Sequence, residues 1–283
     1  MIRQTSVTVD GVRSLVRETG PSEAREAVVF VHGNPGSSAD WVDLMGRVGG
    51  FARAVAPDMP GYGKADRPRA FDYTVDGYAR HLAGLLDALH VERAHLVLHD
   101  FGGPWGLAWA SDHPDALASL TLFNVGVLPG YRWHKFARLW RTPVVGELLQ
   151  LLTTRRSFSA LLNADNPRPF PPEFLDRMYG DIDRGTKRAI LKLYRATSDL
   201  GALVEHVAGK LGPRHVPTLV LWGTGDAYLP VRYAEEQRRF FDVREVRLMP
   251  GCGHWPFIDD PEGAAEPVLR FLRERLGAAT PAR

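Results

Sequence analysis

Three side chains of this chain are spaced to share one piece of chemistry: Asp100, Asp226 and His254, each in a turn that follows an apolar run. Asp100 comes directly after Ala94–His99, where Leu96, Val97 and Leu98 read as a buried strand. Gly102 and Gly103 follow it, and Pro104–His113 reads as a helix. A sharp strand-to-helix turn there lifts the carboxylate out of the top of a sheet, and the glycines let other backbone pass close by. With an ordinary pKa of ~4, such a carboxylate is ionised at neutral pH. It attacks an sp³ carbon bearing a strained or good leaving group without help from a base, forming an alkyl ester on the protein. Hydrolysis of that ester needs an activated water. His254, in Gly251-Cys252-Gly253-His254, is the natural base, and Asp226, in Gly223-Thr224-Gly225-Asp226, is the acid that orients it. A plain helix N-cap at Asp100 would account for the acid but not for the glycines and the histidine.

The elements that must hold these residues are strands alternating with helices. Ile2–Val9 and Val12–Arg17 alternate around Asp10–Gly11, the signature of a hairpin with a type I′ turn. Ala27–Val31, Arg53–Pro57, Ala94–His99, Ser119–Phe123, Thr218–Trp222 and Glu245–Leu248 read as further strands. Continuous apolar runs such as Ala27–Val31 suit strands covered on both faces. Trp41–Val48, Val75–Leu89, Pro104–His113, Val231–Phe240 and Pro261–Leu276 read as helices. This alternation predicts an α/β fold, a mostly parallel sheet flanked by helices. Residues 125–213 carry no strand pattern, only amphipathic pieces broken by Pro143, Pro167, Pro169, Pro171 and Pro172. They predict a helical cap inserted after the sixth strand, over the sheet edge where ligands bind in open α/β folds. The expected units are a core over 1–124, the cap over 125–213 and the rest of the core over 214–283, with a frayed tail at Gly277–Arg283.

Composition narrows the partners. With 35 Lys and Arg against 33 acids in 283 residues, the net charge of +2 gives no reason to expect nucleic acid. The single cysteine, Cys252, excludes an intrachain disulfide and suits a reducing compartment; it reads as a small loop filler. Met1–Asp10 has no apolar targeting core, and no stretch is apolar for the ~18 residues of a membrane helix. The expectation is a cytoplasmic monomer or homodimer with no membrane partner. Trp133, Phe136, Trp140 and Val144 fall at helical spacing beside Arg132, Lys135, Arg138 and Arg141, a pattern read as an apolar helix face with a solvated basic one.

The order Asp100, Asp226, His254 is the nucleophile–acid–histidine order of the α/β-hydrolase fold. Together with HGNPG at His32–Gly36, DMPGYGKADRP at Asp58–Pro68, HDFGG at His99–Gly103, WGTGDAYLP at Trp222–Pro230 and GCGHWPFIDDP at Gly251–Pro261, it resembles the epoxide hydrolase and haloalkane dehalogenase branch of that superfamily. The resemblance runs from about residue 10 to residue 275 and implies an Asp–His–Asp triad beneath a helical cap, with no cofactor and no metal. Backbone N–H groups of Asn34 and Phe101 would form the oxyanion hole. Dehalogenases of this branch hold halide with an indole N–H after the nucleophile and an Asn or Trp after the HG pair. Here Asn34 is present, but Phe101 has no N–H on its ring. Epoxide hydrolases resemble one another in cap tyrosines that donate to the epoxide oxygen, and Tyr194, in a Tyr-Arg pair ahead of Asp226, matches one. Residues 141–152 hold no second tyrosine, which leaves Tyr131, Tyr179 or His134.

His32, Trp105, Trp133 and Trp140 are the expected substrate-binding residues, joined by Phe101 and Tyr194 in an apolar wall. His32 and His99 flank the site, where holding loops by hydrogen bonds is their plainer role. Leu98 stands where many elbows have glycine, and Asn124 where some relatives place the acid. The expected reaction is opening of an epoxide of a small apolar substrate to a vicinal diol. The alternatives are hydrolytic dehalogenation of an alkyl halide or haloacid and, more remotely, ligand binding without turnover.

Overall fold

The computed structural model describes residues 1–197 and 200–277; the part of the expected tail beyond Gly277 lies outside the described residues. Eight strands, β1 (Arg3–Val9), β2 (Val12–Thr19), β3 (Glu26–Val31), β4 (Arg53–Pro57), β5 (Arg93–His99), β6 (Leu117–Phe123), β7 (Pro217–Gly223) and β8 (Asp242–Met249), form one sheet in the order β1-β2-β4-β3-β5-β6-β7-β8. The β1–β2 and β2–β4 pairs are antiparallel and all others parallel. Asp10 and Gly11, both at positive φ (49° and 76°), make the expected tight turn between β1 and β2.

The core helices are α1 (Val42–Val48), α2 (Val75–Ala88) and α3 (Gly102–Asp112). Between β6 and β7 run α4 (Lys135–Arg141), α5 (Val145–Leu152), α6 (Arg155–Ala164), α7 (Pro172–Gly180), α8 (Arg184–Ala196) and α9 (Leu200–Leu211). The chain ends in α10 (Arg232–Glu236), α11 (Pro256–Asp259) and α12 (Pro261–Leu276). Two expectations shift. The helix after Asp100 begins at Gly102, two residues early, because Gly102 and Gly103 already adopt its first turn. The single helix expected over Val231–Phe240 is a short α-helix followed by a 3₁₀ turn at Gln237–Arg239. No strand occurs among the described residues of 125–213.

The apolar runs are buried because both faces of the sheet are covered. In β3, Val29 and Val31 join a core with α2, α3 and part of the cap, whereas Val28 and Phe30 face a second core with α1 and α12. Each such side chain contributes ~1.5–3 kcal/mol when removed from water, which outweighs the weak local preference of these short segments. The cap is fastened to the core on both flanks. Arg177 pairs with Asp40 (2.6 Å), Lys64 with Asp181 (2.6 Å), and Asn166 Nδ2 donates to Asp259 (2.8 Å). No helix among the described residues is long and apolar enough to cross a membrane.

Candidate active site

Asp100 sits between the end of β5 and the start of α3 with φ of +48°, a left-handed conformation that costs a non-glycine residue ~1–3 kcal/mol. The turn is closed by the Gly103 N–H donating to the Asp100 carbonyl (2.9 Å). This strain aims the carboxylate at the space above the sheet. Gly33 is required beneath it, since a Cβ there would collide with the Asp100 side chain. Leu98, bulky for its place in the turn, is accommodated by Gly106 on the next helix: a Cβ at 106 would lie 2.5 Å from Leu98 Cδ2.

The two oxygens of Asp100 have different partners. Oδ1 accepts the Asn34 backbone N–H at 2.6 Å. Oδ2 lies 3.4 Å from His254 Nε2. On the far side of the ring, His254 Nδ1 donates to Asp226 Oδ2 at 2.7 Å. Asp226 is itself fixed, its Oδ1 accepting the N–H groups of Tyr228 (2.7 Å) and Leu229 (3.0 Å). Asn124, at the expected position after β6, donates from Nδ2 to Asp226 Oδ2 (2.6 Å), while its Oδ1 accepts the Gly223 N–H (3.0 Å). Sequence reasoning set Asn124 aside as the acid but missed this orienting role; its only signal was its place at a strand end.

Burial opposes charge on His254, but the carboxylates of Asp226 and Asp100 outweigh it and raise its pKa to about 10. Asp100 shows the converse: burial pushes its pKa up, yet the bond and charge of His254 hold it at about 2. The resting pair is therefore carboxylate and imidazolium. His99 donates from Nε2 to the His254 carbonyl (2.8 Å), and burial lowers its pKa to about 3.

A cavity of about 380 Å³ opens above the triad. At the triad end its wall holds Asn34, Phe101, Trp133, Trp140, Tyr194 and His134; at the far end, Leu149 and Leu152 of α5 with Phe158 and Leu162 of α6. Tyr228 and Trp255, which sequence reasoning did not single out, also line it, each one or two residues beyond a triad member. Two expected substrate-binding residues are corrected. His32 is fully buried below the cavity, its Nδ1 donating to the Gly33 carbonyl (2.8 Å) and its Nε2 accepting the Met59 N–H (3.0 Å), so it holds loops. Trp105 points away from the cavity and stacks on Tyr78 at 4.1 Å in the core.

Of the remaining polar groups, Tyr194 is buried with its hydroxyl 3.3 Å from Asn34 Nδ2. Burial and the Asp100 carboxylate raise its pKa well above the ordinary value, so it keeps its proton. His134 accepts the Ala137 N–H at Nδ1 (3.4 Å) as the cap of α4, which leaves the proton on Nε2; burial lowers its pKa to about 4. Tyr131 already donates to the Tyr228 carbonyl (3.2 Å), and Tyr179 donates to the Thr153 carbonyl (3.2 Å) outside the cavity wall. Cys252 is buried in its loop, which raises its thiol pKa to about 11. Among the described residues no group of three or more His, Cys, Asp or Glu is arranged to hold a metal ion.

His99 and His134 carry a pH prediction. Both have pKa values below the ordinary 6.5, so the stability tied to their neutral forms is present above pH 6.5 and lost as pH falls towards 4 and 3. Thermal midpoints should drop between pH 7 and pH 4.5, and His134→Gln should flatten that drop. An equal drop in the variant would remove His134 from the account.

Residues 26–261 match the family model described as alpha/beta hydrolase fold. The chain is 27% identical to the 2-hydroxy-6-oxo-2,4-heptadienoate hydrolase of Pseudomonas putida, over 94% of this chain and 95% of that protein. The haloalkane dehalogenase DbeA from Bradyrhizobium elkani superimposes with a TM-score of 0.85 at 25% identity, covering 99% of this chain and all (100%) of that one. The epoxide hydrolase CorEH shares the fold at a TM-score of 0.80 and 18% identity, over 97% and 99% of the two chains. With an aspartate at the strained elbow and a histidine paired to a second aspartate behind it, the chain belongs to the α/β-hydrolase fold family, in the branch that holds the haloalkane dehalogenases and the epoxide hydrolases.

Proposed function

We propose that this hydrolase opens epoxides of small apolar molecules to vicinal diols through an ester on Asp100. The observation that carries the reading is the chemistry that shares the cavity with Asp100: a buried phenol at Tyr194 and a neutral imidazole N–H at His134, both in its wall. An epoxide oxygen leaves as an alkoxide and needs a proton, whereas a halide leaves without one.

In this mechanism Asp100 Oδ2 attacks an epoxide carbon, the C–O bond breaks, and Tyr194 protonates the departing oxygen while His134 donates a hydrogen bond to it. Asp100 Oδ1 becomes the ester carbonyl, already bonded to the Asn34 N–H. Esterification removes the negative charge of Asp100, one of the two carboxylates that raise the pKa of His254. The imidazolium then releases its proton, which restores the Tyr194 phenol, and neutral His254 becomes a base for water. Hydroxide adds to the ester carbonyl, where the N–H groups of Asn34 and Phe101 stabilise the oxyanion. As the tetrahedral adduct collapses, its hydroxyl proton passes to the departing alkoxide, so the diol leaves with one oxygen from Asp100, the carboxylate gains one from water, and His254 keeps the other water proton.

Halide release is the second reading, favoured by the Trp255 indole N–H, which lines the cavity, is buried and has no hydrogen-bond partner among the described residues. Diol formation from an aryl epoxide, assayed beside bromide release from a bromoalkane, separates the two. Diol should dominate, and Tyr194→Phe should slow it by ~10²–10⁴-fold. Bromide release with no diol, or a Tyr194→Phe variant at full rate, would overturn the reading.

A further inference from the structure

Helix α5 packs into the cap through Gly146, Leu149 and Gln150, yet its opposite face is also apolar. Val144, Leu148, Leu151 and Leu152 fall on one stripe at helical spacing and are 68%, 52%, 75% and 72% exposed. With Val145 they make five of the nine large apolar side chains exposed among the described residues. Scattered single exposures are ordinary; five within nine consecutive residues form a patch. The backbone contributes to it. Val144 has φ of +68° in a three-residue turn closed by the Val145 N–H donating to the Pro143 carbonyl (2.8 Å), a conformation strained for a β-branched residue. That turn directs the valine to solvent at the head of the stripe.

Two further observations indicate what covers the patch. It is continuous with the cavity mouth, since Leu152 belongs to both the exposed stripe and the wall, and Leu149 lines the cavity from the same helix. The surround is basic. Residues 131–197 carry thirteen Lys and Arg against six Asp and Glu, in a chain whose net charge is +2. Lys135 and Arg138 on the neighbouring α4, and Arg156 at the start of α6, are exposed and have no carboxylate within 4.0 Å among the described residues. A second copy docked face to face would bring these cations onto each other, whereas an anionic surface would neutralise them.

We propose that the α5 face docks on an anionic lipid bilayer, with its leucines in the headgroup–acyl boundary and the flanking cations on the phosphates, so that apolar substrate passes from lipid into the cavity beside Leu152. This departs from the expectation of no membrane partner, which weighed the lack of a spanning stretch and the stripe from Trp133 to Val144 but not the α5 face. An apolar stripe with basic flanks is the composition of helices that lie in a membrane interface.

Flotation of the full chain with vesicles of phosphatidylcholine, or of phosphatidylcholine mixed with phosphatidylglycerol, tests it without any substrate. Wild-type protein should float with the anionic vesicles ~10-fold more than with the neutral ones, and salt should weaken the binding. Leu148→Asp/Leu151→Asp should reduce binding ~10-fold or more while leaving turnover of a water-soluble epoxide unchanged, since neither residue lines the cavity. Lys135→Gln/Arg156→Gln should weaken only the anionic component. Wild-type protein that stays unbound, or an aspartate variant that floats equally, would overturn the proposal, as would a dimer that the aspartates dissociate. Loss of epoxide turnover with flotation intact would remove the proposed reaction and leave the docking surface standing.

Discussion

His254→Gln should react once and then stop. The first half of the cycle needs no base: Asp100 must be ionised and positioned and Tyr194 must hold its proton, and the Asn34 N–H still binds Oδ1 at 2.6 Å while the strained elbow still aims the carboxylate. The second half needs a proton taken from water, and glutamine takes none. Steady-state turnover should fall by ~10³–10⁴-fold or more, in the range seen when a triad member is removed. Intact-mass measurement should show the protein heavier by one substrate, with the increment on the peptide containing Asp100. Removing the imidazolium also removes what holds the Asp100 pKa at about 2 against burial, so the adduct should form more slowly at acidic pH than at neutral pH. No adduct with any epoxide or bromoalkane would mean that no ester forms on Asp100.

Asp226→Asn should reduce turnover by ~10⁴-fold, because an amide no longer stabilises the imidazolium or enforces the tautomer with Nδ1–H. Asn124 makes this variant more informative than a simple loss. Its Nδ2 lies 2.6 Å from the oxygen of Asp226 that receives His254, so a carboxylate at position 124 starts close to the same ring nitrogen. Asn124→Asp/Asp226→Asn should therefore recover part of the lost rate, measured as kcat on the same substrate. Asn124→Asp alone should be slower than wild type, because two carboxylates then share one proton donor at short range. A single Asp226→Asn variant at full rate would place the orienting acid elsewhere.

Much of the frame was legible because apolar continuity is a local signal. Ala27–Val31 and Thr218–Trp222 read as strands buried on both faces and lie in the interior of the sheet. The wall of the cavity was less legible, since nearness in the chain to Asp100 does not say which way a side chain points. Trp105, one helical turn beyond Phe101, turns to Tyr78 in the core, while Phe101 reaches the cavity. Leu98 illustrates a signal split between elements: the missing glycine of the elbow is compensated by Gly106, on a helix whose contact with β5 exists only in three dimensions. For that reason the two positions should behave as a coupled pair, with Gly106→Ala overpacking Leu98 at a cost of ~1–3 kcal/mol. The far end of the cavity could not be read at all, because α5 is apolar on more than one face and sequence does not say which face is inside.

The fastening of the cap has a consequence for molecular traffic. Lifting it would break Arg177–Asp40, Lys64–Asp181 and Asn166–Asp259 together, whereas passage beside Leu152 breaks none of them. On the proposed route the cap stays fastened, so the side chains beside Leu152 would limit the girth of what is admitted. Slender substrates would then be expected to outpace branched ones of equal polarity, and a more polar product would have to recross the apolar wall that admitted its precursor.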